Sequence, residues 1–324
     1  MRFNFVELQG PVLFTTQINE LYYMFGGDKG YYNFTLSSSG EVIFSARVYR
    51  GTDEVVLSGL GDVIRSWLDN KKRVTADFNI TMKDSSGTNV SRDFSIIRRI
   101  GRDDVKAFDF TQSHFLTDQD VWLIPHELWQ TCKPKVYAYS DNADELVVWT
   151  HFENNASTWV RFPATSEGKL RSYDPSLSTS KEEWPKSFSL GDRTLQIKFR
   201  PFNFGCFFIF KNSFGIEEPA YFPGVLTKSH DKAEKTVILG GVTRYYDIDV
   251  TDEMTLTIEQ APQWMVNSAR VLLMSSQVDL VENVVSPSPL GRNIPVIIKS
   301  ISGDITDNPS KLSNLKITFS KAVV

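Results

Sequence analysis

The segment Gly59-Leu60-Gly61 comes closest to a ligand-binding motif in this 324-residue chain. Two glycines between a predicted strand and a predicted helix are typical of dinucleotide-binding loops, and Asp84 follows at about the 20-residue spacing of a ribose contact. However, Ile64 occupies the third glycine position. The next predicted strand alternates apolar and polar residues, whereas a strand between two helix layers is apolar throughout. The pattern therefore predicts a structural turn at the start of a helix, and no cofactor.

Other side chains that could do chemistry are scattered. Asp247, Asp249, Asp252 and Glu253 form the densest acidic cluster, but the first two alternate with apolar residues, which predicts the solvated face of a strand. None of the histidines is spaced as a helical metal ligand. We therefore predict no metal site, no catalytic residues and no enzymatic activity. The four histidines are His114, His126, His151 and His230.

The two cysteines, Cys132 and Cys206, are too few for a disulfide framework. Cys206 lies in an apolar run at 204–210, where a small buried hydrophobic role is expected. A single bridge between the two cysteines remains open from the sequence.

The tryptophans of the middle region suggest a second kind of chemistry. Exposed aromatic faces can stack on sugar rings, and Trp159 and Trp184 are the candidates for glycan stacking. Core packing is at least as compatible with their positions in strand-like runs.

The elements that position these residues are mostly strands. Apolar residues at helical spacing predict one helix over 59–70 and another over 262–274. Alternating segments, such as 74–82, 136–139 and 146–152, predict strands with one apolar face. Residues 3–8 also predict a strand.

The predicted fold class is therefore mainly β, with β-sandwich or tail-tube-like domains that each carry one short flanking helix. We expect an N-terminal β-sandwich at 1–112, a middle β-rich domain or insertion at 113–236 and a C-terminal β unit at 237–324. Because the first and last of these each place a helix between strands, they suggest a duplicated module.

Charge and hydropathy argue against two classes of partner, nucleic acids and membranes. The formal net charge is −4, so bulk charge does not favour nucleic acid. We predict no nucleic-acid sequence recognition. No apolar run approaches the length of a membrane span, and the N-terminus lacks the apolar core of a signal peptide. We therefore expect no membrane insertion and synthesis in the cytoplasm.

Four parts of the chain carry a family resemblance. They contain core and turn patterns and no catalytic signature, and together they span most of the chain. The segments are residues 41–49 leading into 55–68, residues 210–219, residues 263–278, and residues 294–298 through 312–319. In this order they resemble phage and prophage tail structural proteins of gut bacteria, of the distal-tail or baseplate-hub kind.

The resemblance implies a virion structural protein of the tail tip or baseplate, made in the host bacterial cytoplasm. It would assemble into a trimeric or hexameric homo-oligomeric ring, as adaptor or hub, together with other phage tail proteins. The alternative is a receptor- or carbohydrate-binding β-sandwich module of the virion.

Two loops and one aromatic patch are expected at subunit interfaces. Residues 164–186 and 212–224 are predicted as contact loops because of their polar or turn-rich composition. Aromatic residues are predicted as an interface patch. The patch consists of Tyr22, Tyr23, Phe25, Phe214, Tyr221 and Phe222.

Overall fold

A computed structural model of the protein describes residues 2–10, 12–24, 30–49, 54–100, 113–132, 134–141, 146–167, 169–174, 184–239, 242–281, 293–306 and 308–322. For residues 2, 130–131, 230–239 and 242–251 this description covers the backbone only. Within these ranges the protein is mainly β, and two 12-residue α-helices accompany several sheets. The predicted fold class is confirmed.

Residues 2–100 form what we call the N-terminal unit. A five-stranded sheet has the order β2-β8-β7-β4-β5, and a three-stranded sheet has the order β1-β3-β6. The elements are β1 (Arg2–Asn4), β2 (Val12–Phe14), β3 (Glu20–Met24), β4 (Tyr31–Ser38), β5 (Glu41–Tyr49), β6 (Glu54–Ser58), α1 (Leu60–Lys71), β7 (Thr75–Asp84) and β8 (Asn89–Ile97).

Helix α1 packs its apolar stripe into the core of this unit. Leu60, Ile64 and Leu68 are buried, and the ring of Trp67 meets Phe78 of β7 edge to face at 5.5 Å between centroids. The apolar stripe that the sequence periodicity predicts on this helix therefore covers the apolar face of the sheet.

The predicted strand at 3–8 is wrong beyond its first two residues. β1 ends at Asn4, and a 3-10 helix covers Phe5–Leu8. The Asn4 side chain accepts a hydrogen bond from the backbone of Val6, and Glu7 accepts one from the backbone of Asn4. This reciprocal capping stabilises the helical turn over an extended segment.

The remaining described residues form three further sheets. Their orders are β10-β16-β15-β12-β13, β14-β11-β9 and β18-β17-β21-β22-β23-β20-β19. The elements are β9 (His114–Phe115), β10 (Val121–Pro125), α2 (Trp129–Cys132), β11 (Val136–Tyr139), β12 (Leu146–Phe152), β13 (Ser157–Phe162), β14 (Leu170–Tyr173), β15 (Pro185–Leu190), β16 (Arg193–Arg200), β17 (Cys206–Lys211), β18 (Glu217–Phe222), β19 (Val225–Leu239), β20 (Val242–Ala261), α3 (Gln263–Met274), β21 (Val278–Val281), β22 (Asn293–Ser302) and β23 (Ser313–Lys321).

The expected division between a middle and a C-terminal domain does not follow the sheets. Position 236/237 lies inside β19, which pairs along its length with β20. The seven-stranded sheet takes β17 and β18 from the middle region, and one hydrophobic core extends from Phe115 to Phe319. The N-terminal unit has a separate core between Phe5 and Ile96.

The two helix-bearing segments also differ in connectivity. β6 and β7, which flank α1, belong to different sheets. β20 and β21, which flank α3, belong to the same sheet, with β22 and β23 between them. The two segments therefore do not share one topology, and this finding argues against the expected duplication.

A two-stranded ribbon extends from the seven-stranded sheet. β20 pairs with β23 only from Glu253 to Ala261. Residues 242–252 pair only with residues 230–239 of β19 within the described part of the chain. We call these two stretches the ribbon, and about 11 residues at ~3.4 Å each make it about 35 Å long. The sequence predicted two separate strands here, at 245–250 and 254–258.

Candidate functional site

Three of the six residues of the predicted aromatic interface are buried in the protein core. Phe214, Tyr221 and Phe222 are buried, so they are not available as an exposed interface. Tyr22 and Tyr23 are half-buried. The Tyr23 ring packs against Phe5 and Tyr32, at 5.6 and 6.4 Å between centroids. Phe25 lies outside the described residues.

The two predicted contact loops also contain regular structure. Residues 212–224 include strand β18, and the turn before it is held by Asn212, which is buried. The segment 164–186 includes β14 and a bridge between Ala164 and Arg171. Residues 168 and 175–183 of this segment lie outside the description.

The two tryptophans predicted for glycan stacking have opposite environments. Trp184 is only 3% exposed and packs between His126, Trp129 and Phe199. Its face is therefore part of the core and does not reach a ligand at the surface. Trp159 on strand β13 is 61% exposed.

Trp159 is paired with a second tryptophan that the sequence analysis did not single out. Trp149 on β12 lies directly opposite Trp159 in the strand register, and their ring centroids are 4.8 Å apart at 63°. The short turn at 153–156 could have indicated this pair, since the position of a turn fixes which residues of a hairpin lie opposite each other. Together the rings form an aromatic surface on the outward face of the hairpin.

Polar groups adjoin this surface. The indole Nε1 of Trp149 donates a hydrogen bond to His151 Nε2 at 3.1 Å. The Nδ1 of His151 lies 2.5 Å from Ser157 Oγ. Because Nε2 accepts, the neutral ring carries its proton on Nδ1 and donates it to Ser157. The Ser157 hydroxyl then keeps its own proton to donate elsewhere.

A shallow groove of about 390 Å³ runs beside the tryptophan pair. Val147, Ser189, Leu190 and Gly191 complete its walls. The groove thus combines two aromatic rings and aliphatic side chains with the Ser189 hydroxyl, a mainly apolar lining suited to the flat face of a ligand.

The glycine loop before α1 is filled by the protein itself. Gly59 adopts φ +76, and its N–H donates to the Asn19 carbonyl at 2.8 Å. A Cβ on Gly61 would lie 2.1 Å from the Thr15 carbonyl oxygen. Both glycines therefore serve a left-handed turn and a close backbone approach, which agrees with the structural interpretation of the loop.

The cysteines are unpaired thiols. Burial raises the pKa of both Cys132 and Cys206 to about 12, so neither is a nucleophile near neutral pH. The described residues contain no group of three His, Cys, Asp or Glu side chains that could hold a metal ion. The side chains of His230, Asp247 and Asp249 lie outside the description.

A cavity of about 710 Å³ lies between the N-terminal unit and the rest of the chain, and we call it the inter-unit cavity. The end of α1 and Arg98 line it from one side, and the β17–β18 turn lines it from the other. Burial and the nearby Asp118 raise the pKa of Glu218 in its wall to about 7.

Several strands offer unpaired edges within the described part of the chain. β5 pairs only with β4, and β13 pairs only with β12. No residue of β5 is fully buried, and Val42 and Tyr49 are more than half exposed. Edges of this kind can pair with strands of another chain.

No helix in the described ranges is both long and apolar enough to span a lipid bilayer.

Comparisons with known proteins give no family. No protein-family model and no curated protein matches the chain. Three solved structures are weakly similar, each at 11% identity. They are a 1.5-MDa bacterial ice-binding adhesin (TM-score 0.17, 77% of this chain and 88% of that one), a Ca²⁺-stabilised adhesin of an Antarctic bacterium (0.16, 88% and 69%) and SGBP-B of the Bacteroides ovatus mixed-linkage glucan utilization locus, in complex with a mixed-linkage heptasaccharide (0.16, 79% and 70%). TM-scores this low carry no functional argument.

Proposed function

We propose that the protein is a non-catalytic structural component of a phage tail tip or baseplate that assembles into a ring as adaptor or hub. The observation that carries this proposal is the ribbon, which extends about 35 Å beyond the sheet it comes from. The resemblance of the sequence to tail proteins is the reason for proposing a phage tail as the assembly.

The ribbon supports assembly for a thermodynamic reason. A two-stranded hairpin in water is marginally stable, and a third strand or a packing surface is needed to hold it. Residues 242–252 have no third strand among the described residues of their own chain. A neighbouring subunit supplies that surface in the proposed ring.

The edge strand β5 is the proposed acceptor on the neighbour. It has a free edge within the described residues and exposes Val42 and Tyr49. Pairing of an added strand satisfies its backbone groups and covers these side chains. A trimeric or hexameric ring of identical subunits, bound to other tail proteins, follows from such head-to-tail contacts when the rotation closes.

The test removes the ribbon and leaves the sheet. In the variant, residues 230–252 are replaced by Asn-Gly, which joins the paired residues Ser229 and Glu253 through a two-residue turn. Sedimentation and native mass spectrometry should find rings for the full chain and monomers for the variant. The melting temperature of the variant should stay within a few degrees of the full chain, which separates lost assembly from lost folding.

The exposed Lys316→Gln variant, changed on β23 far from the deletion in sequence, is the matched control and should form rings. Rings formed equally well without the ribbon would refute its role. A full chain that is strictly monomeric in a mature particle would refute ring assembly altogether.

A second candidate function is carbohydrate binding by the virion, and the Trp149–Trp159 pair favours it. One ring exposes its face and the other supports it, while Ser157 retains a hydroxyl proton. Trp159→Ala should abolish binding on a glycan array, and Tyr49→Ala, which removes an equally exposed aromatic from another sheet, should not. Absence of any glycan binding by the full chain would remove this candidate and leave the first unaffected.

A further inference from the structure

The inter-unit cavity carries more positive charge than its own carboxylates neutralise. Five cations line it, and in the described part of the chain only Arg98 forms an ion pair, with Asp69. The cations are Lys72, Arg73, Arg98, Lys135 and Lys211.

Four carboxylates also line the cavity, which leaves one cation in excess; they are Asp69, Glu167, Glu217 and Glu218. Asp69 pairs with Arg98. The Glu167 carboxylate accepts hydrogen bonds from the backbone N–H groups of Val74 and Thr75, both at 2.7 Å. The Glu218 carboxylate accepts from Gln119 at 2.9 Å and from Asn212 at 2.6 Å. Neither forms an ion pair with a lysine of the cavity within the described residues.

Arg98 is a buried cation whose hydrogen bonding is incomplete. Its residue is only 6% exposed, and its Nη1 makes no hydrogen bond within the described part of the chain. A buried charged donor without a partner is costly, and a bound water or ion is the usual explanation. The guanidinium rests against Gly215, where a Cβ would lie 2.6 Å from Nη1 and where φ is +78. The turn is thus shaped around the guanidinium.

We infer that the inter-unit cavity binds a small organic anion, with a carboxylate or phosphate group held by Arg98 and the surrounding lysines. Arginine suits this group because its planar fork matches carboxylate and phosphate geometry. The lining also includes Leu68, Ile209 and Ile216, which give the body of such a molecule an apolar surface. The volume of about 710 Å³ is in the range of small-molecule sites.

The experiment uses the full chain with inorganic phosphate and citrate as probes. Calorimetric titration and thermal shift are measured against sodium chloride at equal ionic strength, because general screening also changes stability. We expect saturable binding of at least one probe with a one-to-one ratio. The double variant Lys135→Gln/Lys211→Gln should weaken it about tenfold or more, and Lys316→Gln, an exposed lysine on β23 outside the cavity lining, should leave it unchanged.

Arg98→Lys tests the fork itself, since it keeps the charge and removes the paired N–H groups. It should bind the probes about tenfold more weakly than the wild-type chain. If this variant does not fold, the double lysine variant decides the question, since Lys135 is exposed and Lys211 half-buried. No saturable binding beyond the chloride control, or equal binding by the double variant, overturns the inference.

Discussion

Glu218 is a buried carboxylate in a network that joins two distant parts of the chain. It accepts hydrogen bonds from Gln119 and Asn212, and Asn212 also donates to the Leu116 carbonyl at 2.9 Å. The Asn212 Oδ1 accepts from the backbone of Phe214 and Ile216, both at 3.0 Å. Buried, hydrogen-bonded side chains therefore link the turn between β17 and β18 to residues 116–119.

This network predicts an unusual pH dependence of stability. Burial, with Asp118 nearby, raises the pKa of Glu218 from 4.5 to about 7. Between these values the folded chain holds the proton more tightly than the unfolded chain, so this group's contribution to stability is lost as pH rises. The free energy of unfolding of the wild type, relative to Glu218→Gln, should fall by on the order of 3 kcal/mol between pH 4.5 and pH 8, at about 1.4 kcal/mol per pKa unit.

Urea unfolding of both proteins across this pH range measures the difference directly, and other carboxylates cancel in the comparison. Glu217→Gln, at the exposed neighbouring position, is the control for removal of a carboxylate from this turn. A constant difference between wild type and Glu218→Gln would mean that Glu218 ionises normally in the fold.

At the scale of elements, the position of α1 depends on the absence of one side chain. Gly61 in the first turn of α1 faces the Thr15 carbonyl, with 2.1 Å available to a Cβ. Alanine normally stabilises a helix by about 1 kcal/mol relative to glycine. Here the clash should reverse the sign, and Gly61→Ala should destabilise the chain by about 1–3 kcal/mol.

Chemical denaturation of Gly61→Ala and Gly30→Ala gives the comparison. A Cβ at Gly30 would meet only Ser85 Oγ at 3.8 Å, so this control should stay within about 0.5 kcal/mol of the wild type. Stabilisation by Gly61→Ala would contradict the close approach of α1 to residue 15.

Local periodicity explains which elements the sequence could predict. Helix α1 and strands β11 and β12 have patterns whose apolar residues share one face, and these elements were predicted within one or two residues of their bounds. The length of β20 was not predictable in this way. Residues 242–252 of β20 are held in the ribbon by pairing with β19. Pairing between two strands adds no hydrophobic periodicity to the sequence of either strand.

Site residues were harder to predict because burial is decided by elements far away in sequence. Trp159 and Trp184 both follow polar or charged residues in the sequence, yet only Trp184 is covered, by Trp129 and Phe199. Phe222 is covered by Phe208 from the neighbouring strand. The sequence identifies such rings as apolar surface, and the layer that packs over them determines whether that surface meets solvent.

For the whole molecule, a small third core connects the two large ones. It contains residues of the N-terminal unit, such as Phe14 and Ile97, and residues of the rest, such as Leu116 and Phe214. The rings of Phe14 and Phe214 are 6.1 Å apart, and the Arg99 guanidinium lies 4.8 and 5.3 Å from their centroids. We expect this contact to couple the unfolding of the two parts.

Phe214→Ala should therefore uncouple them. Removal of a buried phenylalanine costs about 3–5 kcal/mol, and here the loss falls on the connection and leaves both large cores intact. Calorimetry should show one unfolding transition for the wild type and two for the variant. Hydrogen exchange should assign the earlier one, because amides of β7 and amides of β23 exchange at the same global rate only while the parts unfold together. A single transition at a lower temperature would show that the cavity and its hydrogen-bonded turn couple the two parts without this ring.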